Sequence, residues 1–398
     1  GCLVHEEKDK LDWPERWLKL KKLVSNYRTK KDNTYDCIIP VSGGKDSHYQ
    51  VYLIKEVFKL NPLLVTYNHN FNTSVGLKNL ENLVSTFNCD LLRVTSNTES
   101  VKKLARYMFE KVGDITWHYH TGINTLPFQI AVEKKIPLII YGDHGYSEHT
   151  GMFQLENIPE FTNWCRQQYE MRGIELESIV SDRKSKISMK DLAPFIFPED
   201  NVIQNLGVRG IFLGNYIKWN HLEQVKFLTR EKKFSIINTP RARTFSNFHK
   251  IDDHANDVHD YLKYLKFGYG RATDHTSEEI RNHRMDRKTA TQIVKIYDDT
   301  EPKSLNYYLK YLELSRSTFF SIVNNMRDKK IWNNKKGKWT VKSTVFNSKM
   351  DTKLINKAKF KLVNRSNRTF GKNNKNFFYN CKKNKAEELL IDKSFKIL

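Results

Sequence analysis

A strand-to-helix junction near the start of the chain restricts the fold more than any other feature. Cys37, Ile38, Ile39 and Val41 form an apolar, partly β-branched run without helical spacing, and Ser42-Gly-Gly-Lys-Asp-Ser47 follows at once, ahead of a helical segment from about Ser47 to Phe58. Gly43 and Gly44 remove the side chains that would hold a ligand off the backbone, and Asp46 or Ser47 can cap the helix. Free N–H groups and the positive end of the helix would then face one point, an arrangement that holds a polyphosphate.

The alternation continues. Strand-like runs at Pro62–Tyr67, Asp90–Thr95 and Ile136–Tyr141 are separated by helical patterns near 75–87, 101–111 and 127–135. Four such units predict an α/β fold with a doubly wound parallel sheet, because each right-handed crossover returns the chain parallel to its predecessor. Ligands bind such sheets at the carboxyl ends of the strands. The segments Tyr67-Asn-His69-Asn-Phe71 and Gly142-Asp143-His144-Gly-Tyr-Ser-Glu148-His149 should therefore open on the same edge as Gly43. Gly142 would allow close approach of adenine or ribose, and Asp46, Asp143 and Glu148 are candidate oxygen ligands for a phosphate-bound Mg²⁺. Ordinary polar loops would carry the same residue types.

The chain has 398 residues, enough for two domains, and Lys plus Arg outnumber Asp plus Glu by 67 to 45, a formal charge of +22. Such a surplus suits a polyanionic partner, but from Val345 to Leu398 there are 14 Lys or Arg against 4 Asp or Glu, so much of it belongs to the tail. Five cysteines at 2, 37, 89, 165 and 381 show no short pairing pattern, as expected of a reduced, cytoplasmic protein. No apolar stretch approaches the ~18 residues of a membrane span, so no membrane insertion is expected.

Past residue 160 the strand–helix rhythm fades. Phe195 to Asn220 mixes aromatics with polar groups and ends in Tyr216-Ile-Lys-Trp219-Asn220, which suits a sugar or base but also a packed aromatic core. The block Asp252 to Asp274 sets Lys263, Lys266 and Arg271 among tyrosines, with Gly268 and Gly270 around Tyr269 implying a tight turn. These residues, with Asp274, fit a carboxylate or phosphate on a substrate, or else a solvated basic surface. Helical spacing from Ser277 to Tyr297 and from Leu305 to Arg327, then a short hairpin over 335–341, complete a helical lobe. The expected domains are 1–34, 35–240, 241–345 and a basic Lys/Asn-rich tail, 346–398.

The glycine-rich turn is not a Walker A loop, whose first glycine and final Ser or Thr would fall at Ile39 and Asp46. It resembles the PP-loop of the ATP pyrophosphatases, enzymes of the adenine nucleotide α-hydrolase-like fold that split ATP into AMP and pyrophosphate. Taken with Asn61-Pro-Leu-Leu-Val65, Phe212-Leu-Gly-Asn-Tyr-Ile-Lys-Trp219 and Leu262-Lys-Tyr-Leu-Lys-Phe-Gly-Tyr-Gly-Arg-Ala-Thr-Asp274, the run Tyr35–Val51 resembles the N-acetyl sugar amidotransferases of bacterial surface-polysaccharide and flagellin-glycan biosynthesis, over roughly residues 10–342.

That resemblance implies conversion of a sugar acetamido group to an acetamidino group, with ATP and Mg²⁺. Ammonia would come from a separate glutaminase with a cyclase-like companion, both similar to those of histidine biosynthesis. It further implies Lys45, Asp46 and Glu148 as catalytic groups; Ser42, Gly43, Gly44, Lys45, Asp46, Ser47, Tyr67 and Gly142 at the nucleotide; and Asp46 and Asp143 at the metal. Trp219, Asn220, Lys263, Lys266, Arg271 and Asp274 would meet the sugar. Relatives of this kind begin with a cysteine-containing segment able to bind zinc. Here Gly1-Cys2 and His5 remain of it, so zinc is expected only in a chain carrying the missing cysteines. Two other readings stay open. A tRNA-modifying PP-loop enzyme would explain the charge by phosphate binding, but no C-x-x-C accompanies the loop, and a nucleic-acid partner is not expected. A non-catalytic nucleotide-binding subunit would hold ATP without turnover.

Overall fold

The computed structural model describes residues 2–29, 34–143, 145, 153 and 155–346. The expected sites His144, Glu148 and His149 and the tail after 346 lie outside them. The chain divides into two compact units. One comprises Glu7–Met108 and Ile115–Ser235; the other comprises Gly1–Glu6, Phe109–Asp114 and the chain from Ile236.

In chain order the elements up to Ser235 are α1 (Cys2–Asp9), α2 (Trp13–Ser25), β1 (Cys37–Pro40), α3 (Lys45–Val51), β2 (Pro62–Asn68), α4 (Ser74–Phe87), β3 (Asp90–Thr95), α5 (Thr98–Val112) and α6 (Trp117–Lys134). They continue with β4 (Leu138–Tyr141), α7 (Leu176–Ser181), α8 (Met189–Leu192), α9 (Asp200–Asn205), β5 (Arg209–Phe212) and α10 (His221–Glu231). The five strands form one parallel sheet in the order β3-β2-β1-β4-β5. In register, Ile39 lies opposite Leu64, Ile38 opposite Ile139 and Ile140 opposite Ile211. The parallel α/β class expected from the sequence is therefore the observed one.

The apolar runs are continuous because the central strands have no wet face. Ile38, Leu63, Val65 and Ile139 join a core built with Leu104, Met108, Trp117 and Phe128. Cys37, Ile39, Leu64, Leu138, Ile140 and Ile211 point the other way, into a core with Leu20, Val24, Val51, Leu80 and Leu83. Strand order reverses between β1 and β4, so their carboxyl ends open a crevice where a ligand can enter.

Four local expectations change. A fifth strand, β5, lies within the aromatic stretch read as possible sugar-binding sequence; its four residues are too few to show a period. The helix expected from Pro127 begins ten residues earlier at Trp117 and carries Pro127 in its interior. Burial of Trp117, His118, Tyr119, Gly122, Leu126 and Phe128 outweighs the missing proline N–H. The segment after α3 continues as a π-helical stretch, Tyr52–Val57, rather than as plain α-helix. Neither long C-terminal helix is continuous, as described next.

From Ile236 the chain adds α11 (Asn256–Phe267), α12 (Arg271–Arg281), α13 (Arg287–Tyr297), α14 (Ser304–Tyr311), α15 (Arg316–Asn325) and an antiparallel hairpin, β6 (Trp332–Lys335) with β7 (Lys338–Val341). The breaks are capped: Asp286 accepts from the N–H of Thr289, and Ser315 from that of Thr318. Gly268 ends α11 at φ 73°, as the two-glycine turn required. No helix among the described residues is long and apolar enough to cross a membrane.

Gly43 sits at φ +85°, and a Cβ there would lie 2.4 Å from the carbonyl oxygen of Gly76 in α4. Gly207 has a similar φ of +63° with nothing within 4 Å of its Cβ position. Gly43→Ala should thus lower Tm by roughly 5 °C or more, from backbone strain plus collision, and Gly207→Ala by clearly less. Equal losses in thermal unfolding would show that the Gly76 contact does not matter.

Candidate functional site

The loop between β1 and α3 is built by backbone constraint and two hydroxyls. Gly44, extended at φ −78° and ψ 172°, is the helix N-cap and has no side-chain cap, so neither Asp46 nor Ser47 plays the capping role expected of it. Ser47 lies within the first turn, where its Oγ accepts from the N–H of Ser42 at 3.0 Å, and Ser42 Oγ accepts from the N–H of Gly44 at 3.3 Å. These two loop N–H groups are consequently not free. A side chain at Gly43 would also collide with the backbone of α4.

His48 secures the loop from below. It is 0% exposed, and its Nδ1 lies 3.2 Å from the carbonyl of Gly44, an acceptor, so Nδ1 carries the proton. Phe234 meets the ring edge-on at 5.0 Å. Burial pushes the His48 pKa down to about 4.

Asp46 is the hub of the site. Its Oδ2 accepts from Lys45 Nζ at 2.6 Å, and its Oδ1 accepts from the indole Nε1 of Trp219 at 3.0 Å. His221 Nδ1 lies 3.4 Å from that Oδ1, while its Nε2 lies 3.9 Å from Asp143 Oδ2, at the end of β4. Burial alone would raise the Asp46 pKa; the Lys45 charge and the His221 contact outweigh it and hold the carboxyl well below the ordinary carboxylate range. The side chain remains 41% exposed, so solvent screens these pairings.

Of the residues expected at the nucleotide, the structure gathers Ser42, Gly43, Gly44, Lys45, Asp46 and Ser47 in one turn, with Trp219 and Asp143 reached through Asp46 and His221. Gly142 follows β4; its carbonyl accepts from the N–H of Gly214 at 2.9 Å, and a Cβ would press on Gln50 at 3.0 Å. Tyr67 is in the core instead, 3% exposed, its ring filling the space beside Gly122. His69 is buried and accepts from the N–H of Phe71. Asn220 caps α10 through the N–H of Glu223. His221 was missed by sequence reasoning, although it directly follows the Trp219-Asn220 pair; a lone histidine at a helix start carries no signal until its two aspartates are placed.

In the other unit, Lys263 and Arg271 meet on Asp274, at 2.5 and 3.0 Å. Arg271 also grips Asp260, 1% exposed, with Nε at 3.0 Å and Nη2 at 2.7 Å. Lys263 Nζ stands 4.3 Å above the Tyr269 ring. Lys266 turns elsewhere, donating to the carbonyl of Gly113 at 2.9 Å. Burial, reinforced by Arg271, lowers the Lys250 pKa to about 8.

Comparison with known proteins gives a family for part of the chain. Residues 242–345 match the family described as "LPS biosynthesis protein WbpG-like, C-terminal domain". Among individual relatives, 85 residues, 21% of this chain, are 38% identical to the uncharacterized protein MJ1599 of Methanocaldococcus jannaschii, and the match spans 31% of that protein's length. Among solved structures, the NH3-dependent NAD synthetase of Campylobacter jejuni overlaps 49% of this chain and 92% of its own, at 11% identity and a TM-score of 0.28, too loosely to bear on function.

The His48 shift fixes a pH dependence. Its folded value lies below the ~6.5 of an unfolded histidine, so between those values the unfolded chain binds a proton that the native state refuses, and stability falls as pH falls. Of the stability present at pH 7, about 2 kcal/mol should be lost through this residue by pH 4.5. Urea unfolding at both pH values should show a shallower loss in His48→Gln; an unchanged loss would mean that His48 is not the group responsible.

Proposed function

We propose that this protein is an ATP-dependent, AMP-forming amidotransferase that converts a sugar acetamido group into an acetamidino group in bacterial surface-glycan biosynthesis, whether of lipopolysaccharide O-antigen or flagellin glycan. The observation that carries the reading is the Ser42–Ser47 loop at the switch point of a parallel sheet, with Lys45, Trp219 and His221 converging on Asp46. The match of residues 242–345 to a domain of a lipopolysaccharide biosynthesis protein supports the sugar half.

An amide oxygen is a poor leaving group, so nitrogen can replace it only after activation. The acetamido oxygen would attack the α-phosphorus of ATP, forming an O–P bond and releasing pyrophosphate. Ammonia would then add to the carbon of the O-adenylyl imidate, and AMP would depart with the former amide oxygen. Phosphate oxygens would replace the Ser42 and Ser47 hydroxyls at the loop N–H groups, and Lys45 would pass from Asp46 to the leaving pyrophosphate. Asp46 would hold Lys45 ready until then.

Mg²⁺ bound to ATP would neutralise phosphate charge. Both oxygens of Asp46 already face Lys45, Trp219 or His221, which suits it poorly as a metal ligand; Asp143, oriented by His221, fits that part better. Trp219, Asn220, Lys263, Lys266, Arg271 and Asp274 are assigned to the sugar; Asp260, Asp274 and the Gly113 carbonyl already engage the three cations, so a carboxylate on the sugar would have to compete with those contacts. Glu148, outside the described residues, keeps the catalytic assignment expected of it. A glutaminase and its cyclase-like companion are the proposed source of ammonia.

Incubated with Mg-ATP, ammonium and a diacetamido sugar acid, the protein should lower the sugar mass by about one unit as oxygen gives way to NH, with equal AMP. Lys45→Ala should cut AMP formation by ~10²-fold or more while leaving the circular dichroism intact. Normal turnover in that variant removes the loop assignment, and activity that appears only with tRNA supports the base-modifying reading instead.

A further inference from the structure

The β6–β7 hairpin breaks two local rules at the same place. Lys335 and Lys338 are directly opposed in register, a like-charge pair that destabilises a two-stranded ribbon. The residues joining them, Lys336 at φ 50° and Gly337 at φ 83°, make a turn with both central residues left-handed, a geometry that favours Asn-Gly and strains a lysine. The hairpin is nevertheless firmly seated. Arg327 stacks on Trp332 at 4.1 Å and on Trp339 at 5.2 Å, Trp332 Nε1 donates to the Lys266 carbonyl, and the N–H of Gly337 donates to Asn334.

Three lysines within four residues are held out on this ribbon and make no side-chain hydrogen bond or ion pair among the described residues. Lys329, Lys330, Lys335, Lys336 and Lys338 are exposed and make no side-chain ion pair or hydrogen bond among the described residues. Between Arg327 and Phe346 stand seven Lys or Arg and one Asp, and the following stretch to Leu398 adds 14 against 4, so 16 of the 22 net charges lie in the last 72 residues. A concentration of this kind at a site that strains its own backbone marks function rather than solubility.

We propose that this hairpin is a docking surface for an anionic lipid bilayer. Six of the seven cations are lysines, strongly hydrated point charges suited to a diffuse negative surface, and the one arginine, whose fork would read a phosphate or base, is sandwiched between tryptophans. Phe267, 51% exposed, lies at the end of the helix on which the hairpin rests, an apolar side chain able to enter a headgroup layer. Docking of this kind is peripheral and electrostatic, and does not depend on the reaction proposed above.

The test is co-sedimentation of the full chain with vesicles of phosphatidylethanolamine and phosphatidylglycerol, against phosphatidylcholine alone, at 50 and 300 mM salt. Binding should be at least tenfold stronger to the anionic vesicles, fall with salt, and drop at least tenfold in the triple variant Lys335→Glu/Lys336→Glu/Lys338→Glu. A charge-matched control, Lys21→Glu/Lys22→Glu/Lys190→Glu, should retain it. Circular dichroism and thermal unfolding would show that both variants are folded. No preference for anionic vesicles, an equal loss in the control, or full binding in the hairpin variant would overturn the proposal. So would tighter binding to duplex RNA or DNA abolished by the hairpin changes, which would make the surface a nucleic-acid site.

Discussion

The burial of β1 on both faces governs what the first unit can do. Cys37 and Ile39 enter one core and Ile38 the other, so the first three residues of the strand offer no side chain to solvent or ligand, and only Pro40 at its end is partly exposed. Polar chemistry is confined to the point where the strand ends, and the strand order places that point at the reversal between β1 and β4. Gly43 then turns the chain hard against the backbone of Gly76, and α3 begins after a connection of only four residues, 41–44. The position of the loop is thus set by packing beneath it before any ligand is considered.

Asp46 shows how one carboxylate can organise a site without being deeply hidden. Lys45 precedes it, while Trp219 and His221 arrive from the far side of a fifth strand that the sheet adds beyond β4. The three contacts spread the negative charge over a lysine, an indole N–H and an imidazole, and the imidazole extends the connection to Asp143. A lysine held this way is pre-oriented: Lys45 is buried, while the carboxylate that holds it stays 41% exposed and so is partly screened by solvent.

In the second unit a single buried carboxylate, Asp260, is shared by Arg271 at 2.7 Å, Arg241 at 3.6 Å and Lys250 at 3.9 Å. An uncompensated charge at that depth would be costly, and two of the three cations are arginines that divide the load with Asp257 or Asp274. The same unit carries at its hairpin a group of lysines with no such compensation. Charge is therefore treated in two ways within one unit: paired around the buried Asp260, and left unpaired on the exposed lysines of the hairpin.

Sequence by itself determined the parallel α/β class, the strand–loop–helix at 37–51 and the turn at Gly268–Gly270, because each depends on neighbouring residues: continuous apolar runs, adjacent glycines, a helix start. It located the aromatic segment ending at Trp219 but not its partner, since the contact with Asp46 spans 173 positions. Tyr67 went to the core and not to the crevice because side chains on a strand alternate between faces, and only the packed α6 shows which face Gly122 leaves open for the ring. The fifth strand, the continuation of α6 through Pro127 and the His221 bridge were likewise decided in three dimensions. Each rests on contacts between segments distant in the chain, whose energy no local pattern records.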